Sequence, residues 1–313
     1  MPIADLKFRE LLRPAASLTP GDDDIWRGHH FTWKRFDSWG PQLTAWLQPH
    51  FGKDGLGCLK PGVFRDLCWD DPDWPDLLER CLLADLDYFA EQLADALEHS
   101  VLRTFHGCRT DDARRYFELG IRIHNRDAMT ARLASLVETH EELFWLRTRL
   151  DDAIARIDNT IDDGRLYVVA DDTSLLEHAA HYLIYGSEWI AAVLGGGYRH
   201  VLLKTGTPTL LEIDLPLRVS STGIRKELAN KMLAEWTRHA CNRPDWHAPI
   251  DFTFGLNADI PPAWIVGHTH PAELRDPLEK RQLYRAPRTT CAYCTAEITN
   301  KAKESLRGPL PDK

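Results

Sequence analysis

At 313 residues, with 43% hydrophobic and 27% charged side chains, the chain has the length for one large or two modest domains and the balance of an ordinary globular protein. A formal net charge of −9 argues against broad, sequence-indifferent binding of nucleic acid, which needs a strong basic field, but leaves room for a local basic groove. No run approaches the roughly 18 apolar residues of a membrane span and the N-terminus does not read as a signal peptide, so a cytoplasmic protein without a membrane partner is expected.

Residues 1–75 are rich in tryptophan and broken by glycine and proline; Trp26, Trp33, Trp39, Trp46, Trp69 and Trp74 are six of the chain's eleven. Clustering of this kind predicts a compact core whose indole N–H groups need partners, rather than a stacking surface for a base or peptide. The run DDPDWP at 70–75 signals a helix entry, and apolar residues at 78, 82, 86, 89, 93 and 97 predict one amphipathic helix running to His99. This mostly helical N-terminal region is taken as residues 1–98.

The next stretch, VLRTFHGCRTDDARRYFELGIRI at 101–123, organises the rest. A β-prone run at 101–105 is expected to stop at His106-Gly107, followed by a polar turn at 108–112. A helix at 113–119 then closes on Gly120, which sits where a C′ glycine ends a helix, and a second β-prone run occupies 120–123. Glycine after histidine lets another molecule approach the backbone, and the imidazole offers a directional hydrogen bond beside it. By itself the dipeptide also suits a plain turn.

Residues 130–157 carry Leu133, Leu136, Val137, Leu143 and Ile154 among charges and predict one or two helices, joined onward through Asp158-Asn159 and Asp162-Asp163-Gly164. A strand holding Tyr167 is expected at 165–170, and Asp171 to Ser174 offers N-cap chemistry for a helix reaching Tyr182. Gly195-Gly196-Gly197 lacks the strand-GxGxxG-helix order of a dinucleotide fold and reads as a loop. Strands are expected at 199–204, 209–217, 251–256 and 260–266, a helix at 223–239, and little order in the polar, proline- and arginine-rich tail. Strands that arrive without alternating crossover helices point to an α+β fold.

Seven cysteines lie at 58, 68, 81, 108, 241, 291 and 294, an odd number without the spacing of a secreted disulfide scaffold. Cys291 and Cys294 make the single CxxC, whereas a structural zinc site calls for two such pairs or for one pair with two close histidines. The nearest histidines, His268 and His270, lie about twenty residues upstream. No metal is therefore expected.

The order of these elements resembles the ADP-ribosyltransferase fold, in the His-Tyr-Glu branch shared by diphtheria-type toxins and poly-ADP-ribose polymerases. The family's first motif, an apolar strand, then His-Gly and a small residue, often with Arg-Thr, stands here as Phe105-His106-Gly107-Cys108-Arg109-Thr110, and continues to Gly120-Ile121-Arg122-Ile123. The second stands as Gly164, Tyr167, Ala170 and Ala179-Ala180-His181-Tyr182, with one extra residue on either side of Tyr167. Cys108 replaces the usual Thr or Ser. The third motif places a glutamate on a late strand ahead of a final Ile-x-Pro-type strand. Matching that final strand to Ile260-Pro261-Pro262-Ala263-Trp264-Ile265 puts Asp251 at the glutamate position, with Glu188 and Glu212 as fallbacks. The resemblance covers about 101–270 and implies a split antiparallel sheet core, taken as residues 99–275, before a polar tail at 276–313.

It further implies an enzyme that uses NAD as substrate. His106 would bond the adenosine-side ribose hydroxyls, and the Gly107 backbone would pair with the nicotinamide carboxamide. Tyr167 and Tyr182 would stack on the nicotinamide ring, and Arg109 would meet the pyrophosphate. Cys108 and Ser174 complete the expected NAD-binding set. Asp251 or Glu188 would bond the nicotinamide ribose 2′-OH as positive charge develops on the sugar. The implied activity is mono-ADP-ribosylation of a macromolecular acceptor, protein or nucleic acid, by a toxin, effector or phage-defence protein, with an inhibitory partner protein as a further expectation. An NAD glycohydrolase and an inactive binding module on the same fold are the alternatives.

Overall fold

A computed structural model of the chain describes residues 23–53, 57, 59, 71–157, 163–241, 250–287 and 291–296. Trp69, Cys58, Cys68, the joint at 158–162 and the tail beyond 296 lie outside the described residues.

The architecture is α+β. In chain order come β1 (His30–Thr32), α1 (Gly40–Leu47), α2 (Trp74–Glu79) and α3 (Leu86–Leu97). β2 (Val101–Thr110) leads to α4 (Arg114–Leu119), α5 (Arg126–Thr139), a 3-10 segment at Glu141–Leu146 and α6 (Leu150–Ala155). β3 (Leu166–Val169) is followed by a π-helical turn at Ser174–His178, α7 (His181–Tyr185) and α8 (Glu188–Tyr198). Then come β4 (Thr207–Pro216), α9 (Thr222–Cys241), β5 (Thr253–Leu256), β6 (Ile265–Thr269), β7 (Glu273–Asp276) and β8 (Gln282–Arg285). The main sheet has the order β5-β3-β2-β4-β6, with β1 parallel to β2, and β7 pairs with β8 in an antiparallel hairpin. Among the described residues no helix is long and apolar enough to cross a membrane.

The chain divides into two compact units, Met1–Thr104 with Asp214–Phe254 and Phe105–Ile213 with Gly255–Lys313. This differs from three consecutive segments because Asp214–Phe254, which carries α9, returns to the first unit. In that unit the expected tryptophan core is present: Trp26, Trp33, Trp39 and Trp46 are all buried. The Trp39 indole donates to Trp33 O at 3.1 Å, and Trp236 of α9 donates to Thr44 Oγ1 at 2.9 Å. The single helix expected up to His99 is two, α2 and α3. The Cys81 carbonyl accepts from Gly52 N–H and the Leu83 N–H donates to His50 O, so the backbone between the helices pairs elsewhere. Asp85 then caps α3 by accepting from Asp87 N–H at 2.7 Å. Arg225 of α9 ties α3 down, donating to Ala94 O at 3.1 Å and to Glu98 at 2.7 Å. Cys81 is disulfide-bonded, a bridge that the cysteine spacing did not signal, whereas Cys108, Cys241, Cys291 and Cys294 form none.

The second unit centres on an apolar cluster that includes Leu133, Leu143, Leu183, Ile184, Ile190 and Leu202, onto which Phe105 of β2 and Val169 of β3 pack. Four expectations change here. β2 does not end at His106 but continues through Thr110; Phe105 packs on this cluster, and Leu175 and Leu183 approach the strand at Gly107. Residues 199–204 form a 3-10 segment rather than a strand, a short apolar run that periodicity alone does not distinguish. Gly195-Gly196-Gly197 lies within α8, which kinks where Gly195 adopts φ 66°. The run 120–123 makes only a single bridge, Ile121 to Ile260. That bridge requires a glycine beside it: Gly120 has φ 76°, and a Cβ there would stand 2.1 Å from Ile260 O.

Candidate active site

Antiparallel pairing sets Phe105 of β2 opposite Val169 of β3. Continuing that register by two residues places Gly107 opposite Tyr167 on the same face of the sheet. His106 lies between these positions on β2, and its Nδ1 is 3.0 Å from the Tyr167 backbone carbonyl. A carbonyl oxygen can only accept, so Nδ1 carries the proton. Burial pushes the ring's pKa down while this backbone bond pulls partly the other way, which leaves a neutral imidazole with a lone pair on Nε2.

Tyr167 is 38% exposed although it sits in a strand. A Cβ added at Gly255 of β5 would stand 3.4 Å from the Tyr167 ring, so the ring lies across a strand position that has no side chain. A Cβ at Gly107 would meet Leu175 at 3.3 Å and Leu183 of α7 at 3.4 Å. Gly107 thus lets α7 and the π-helical turn come close to β2.

A second group, on α7 and α8, is a cluster of three polar side chains. The Tyr182 hydroxyl on α7 donates to Glu188 Oε2 at 2.5 Å, and His181 Nε2 lies 3.8 Å from Glu188 Oε1. The His181 and Tyr182 rings are 4.2 Å apart. Glu188 stands at the first position of α8, where Ser187 caps the helix by accepting from Ile190 N–H at 3.3 Å. His181 first, then Tyr182, holds the Glu188 carboxyl below the usual range against the opposing effect of burial. His181 was quoted in the second motif but given no role; α7 ends at Gly186 (φ 75°) and α8 starts afresh at Glu188, so no single helical spacing signalled their contact.

Three expected ligand residues are buried. Arg109 is buried, and its guanidinium is consumed by Thr205 O at 2.7 Å, Leu203 O at 2.8 Å, Ile184 O at 3.0 Å and the Tyr284 hydroxyl at 3.1 Å. These bonds make it a packing knot between β2 and its surroundings. Cys108 is buried beside Tyr116, and burial pushes its thiol up to about 12. Ser174 is buried in the π-helical turn. Asp251 is exposed and precedes β5, which begins at Thr253, not at 251. The four residues of β5, Thr253, Phe254, Gly255 and Leu256, include no carboxylate. Glu212 lies on β4 opposite Gly267 of β6, where a Cβ would stand 3.2 Å from its carboxyl carbon. Glu188 is joined to an expected site residue, Tyr182. A cavity of about 260 Å³ in the same unit is lined by Tyr185, Arg199, Asp276 and Tyr284, and by none of the expected NAD-binding residues.

A separate group also assembles in this unit. One ligand atom from each of His268, His270, Cys291 and Cys294 lies within 4.8 Å of the others, although the cysteine spacing led to no metal being expected. Comparison of the chain with protein-family descriptions, curated proteins and solved structures yields no match.

Proposed function

We propose that the second unit binds NAD and cleaves its nicotinamide–ribose bond, transferring ADP-ribose to a macromolecular acceptor. The observation that carries this reading is the His106 Nδ1–Tyr167 carbonyl bond, which joins the first motif to the second. Together with the motif resemblance, it ties an imidazole with a fixed lone pair to the strand that carries the exposed Tyr167 ring. In this reading Nε2 of His106 accepts from a ribose hydroxyl, while the Gly107 backbone and the Tyr167 ring hold the nicotinamide. The bond breaks with its electron pair leaving on nicotinamide, so positive charge develops on the ribose. Glu188, kept ionised by His181 and hydrogen-bonded to Tyr182, is the carboxylate assigned to the 2′-OH, replacing Asp251 in that role.

Incubation of the full chain with NAD tests this. Release of nicotinamide with label passing from NAD to protein or nucleic acid is the expected result, and release of nicotinamide with free ADP-ribose alone would make the enzyme a glycohydrolase. The absence of a carboxylate from β5 favours a second reading, a module that binds the nucleotide without cleaving it. Saturable NAD binding without nicotinamide release would establish that one.

A further inference from the structure

We propose that His268, His270, Cys291 and Cys294 bind one zinc ion, which pins the segment at 291–296 to β6 and to the turn that follows β2. His268 and His270 are two residues apart at the end of a strand, so their rings leave the same face. Cys291 and Cys294 are three apart where the chain enters a helical turn at 292–296, so their thiols also share a face. The β7–β8 hairpin brings these pairs together. Its ends are closed by the Ala286 N–H donating to Ala272 O at 2.8 Å, so the chain returns beside the point at which it left.

The donor atoms are already gathered. His268 Nε2 lies 3.2 Å from Cys294 Sγ, and His270 Nε2 lies 3.5 Å from the same sulfur. Zinc–sulfur bonds of about 2.3 Å and zinc–nitrogen bonds of about 2.0 Å give a tetrahedron whose edges are roughly 3.3–3.8 Å. The two His–Cys294 distances are close to that, and all four atoms fall within 4.8 Å of one another. The outer partners suit a metal as well. His270 Nδ1 is 3.0 Å from Pro208 O and 3.1 Å from Thr209 Oγ1, which fixes the proton on Nδ1 and turns the Nε2 lone pair toward the cluster. The Ala113 N–H points at Cys291 Sγ at 3.4 Å, a donor that favours the thiolate. Phe117 and Tyr293 flank the His268 ring at 5.7 and 5.5 Å and shield the site.

Two thiolates and two neutral imidazoles balance one Zn²⁺, and binding releases the two thiol protons. Four protein ligands close the coordination sphere and leave no position for substrate, so the ion is structural. Its ties run to the Ala113 N–H and, through Ala292 N–H to Asp111 O at 2.9 Å, to the turn that ends the His106 strand.

Metal content decides the matter whether or not NAD is cleaved. The full chain, expressed with zinc in the medium and dialysed, should carry about one zinc per molecule by mass spectrometry of the metal, as four-ligand sites of this kind do. Cys291→Ser with Cys294→Ser should lower that at least tenfold. Because the double variant could lose zinc by misfolding, wild-type protein is also exchanged into cobalt. A tetrahedral cobalt spectrum with thiolate-to-metal charge transfer is expected. Wild-type protein isolated without zinc, full occupancy in the double variant, or a cobalt spectrum without thiolate ligation would each overturn the proposal.

Discussion

The His106 imidazole donates through Nδ1 to the backbone carbonyl of Tyr167, 3.0 Å away on the neighbouring strand. The bond joins the two residues of the first and second motifs and leaves Nε2 as an acceptor. Burial keeps the ring's pKa below its ordinary value of 6.5 in the folded protein. The unfolded chain therefore takes up a proton before the folded one. Stability from the neutral ring is present above the unfolded value and is lost as pH falls through the lower folded value. Affinity for NAD should follow the same direction, level at neutral pH and falling on acidification as Nε2 becomes a donor. Calorimetric titrations at several pH values check this, and His106→Ala should bind weakly with no such acid limb. An acid limb that persists in the alanine variant would assign it to another group.

Gly107 separates sterics at the ligand from sterics in the fold. A Cβ there meets flexible leucine ends at 3.3 and 3.4 Å, so Gly107→Ala should be tolerated with a small shift of Leu175 and Leu183. The larger Gly107→Val should overpack this contact and destabilise the protein by about 1–3 kcal/mol. Chemical denaturation measures the cost. A valine variant as stable as wild type but unable to bind nicotinamide would show that the position faces ligand alone.

Arg109 should matter to stability, not to NAD. Replacement by methionine strands three backbone carbonyls and the Tyr284 hydroxyl that the guanidinium now satisfies. Leaving buried polar groups without partners costs about 1–3 kcal/mol each, so a total of about 3 kcal/mol or more is expected. Arg109→Lys should recover only part of it, since an ammonium cannot reproduce the planar fork. A lysine variant with wild-type stability and weakened NAD binding would return Arg109 to the pyrophosphate.

What the sequence made legible follows from how local each signal is. The helix after β2 and its glycine stop were readable because a short apolar pattern and a C′ glycine lie side by side. The extent of β2 was not. Cys108 and Thr110 look like turn residues, but Cys108 is buried against Tyr116, which only tertiary packing reveals. The tail at 276–313 was expected to have little order, yet it supplies all of β8 and both cysteines of the metal cluster. His268 and His270 had been named as the nearest partners for those cysteines. Their contact depends on a hairpin that contains no Asn-Gly or Asp-Gly turn; Lys280 and Arg281 adopt positive φ there instead.

The carboxylate decides between an enzyme and a binding module. Asp251 was assigned by counting back from Ile260, but it precedes β5 and is exposed, and β5 itself has no acid. Glu188 is bonded to Tyr182 and lies 3.8 Å from His181, so a ligand stacked on Tyr182 would find a carboxylate already oriented. Glu188→Gln should lower nicotinamide release by at least about tenfold and leave NAD affinity nearly unchanged, because the charge acts mainly as the ribose becomes cationic. Asp251→Asn and Glu212→Gln should leave the rate near wild type. His181 and Tyr182 hold the Glu188 pKa down, so the carboxylate stays charged as pH falls and is protonated only below the usual range. Tyr182→Phe removes one of those bonds and should move the acid limb of the rate toward higher pH. Steady-state rates for the four variants across acid pH, with NAD affinity measured separately, provide the check. A steep loss in Asp251→Asn with full activity in Glu188→Gln would return the 2′-OH to the residue that the motif count chose and leave the Tyr182–Glu188 bond a fold contact.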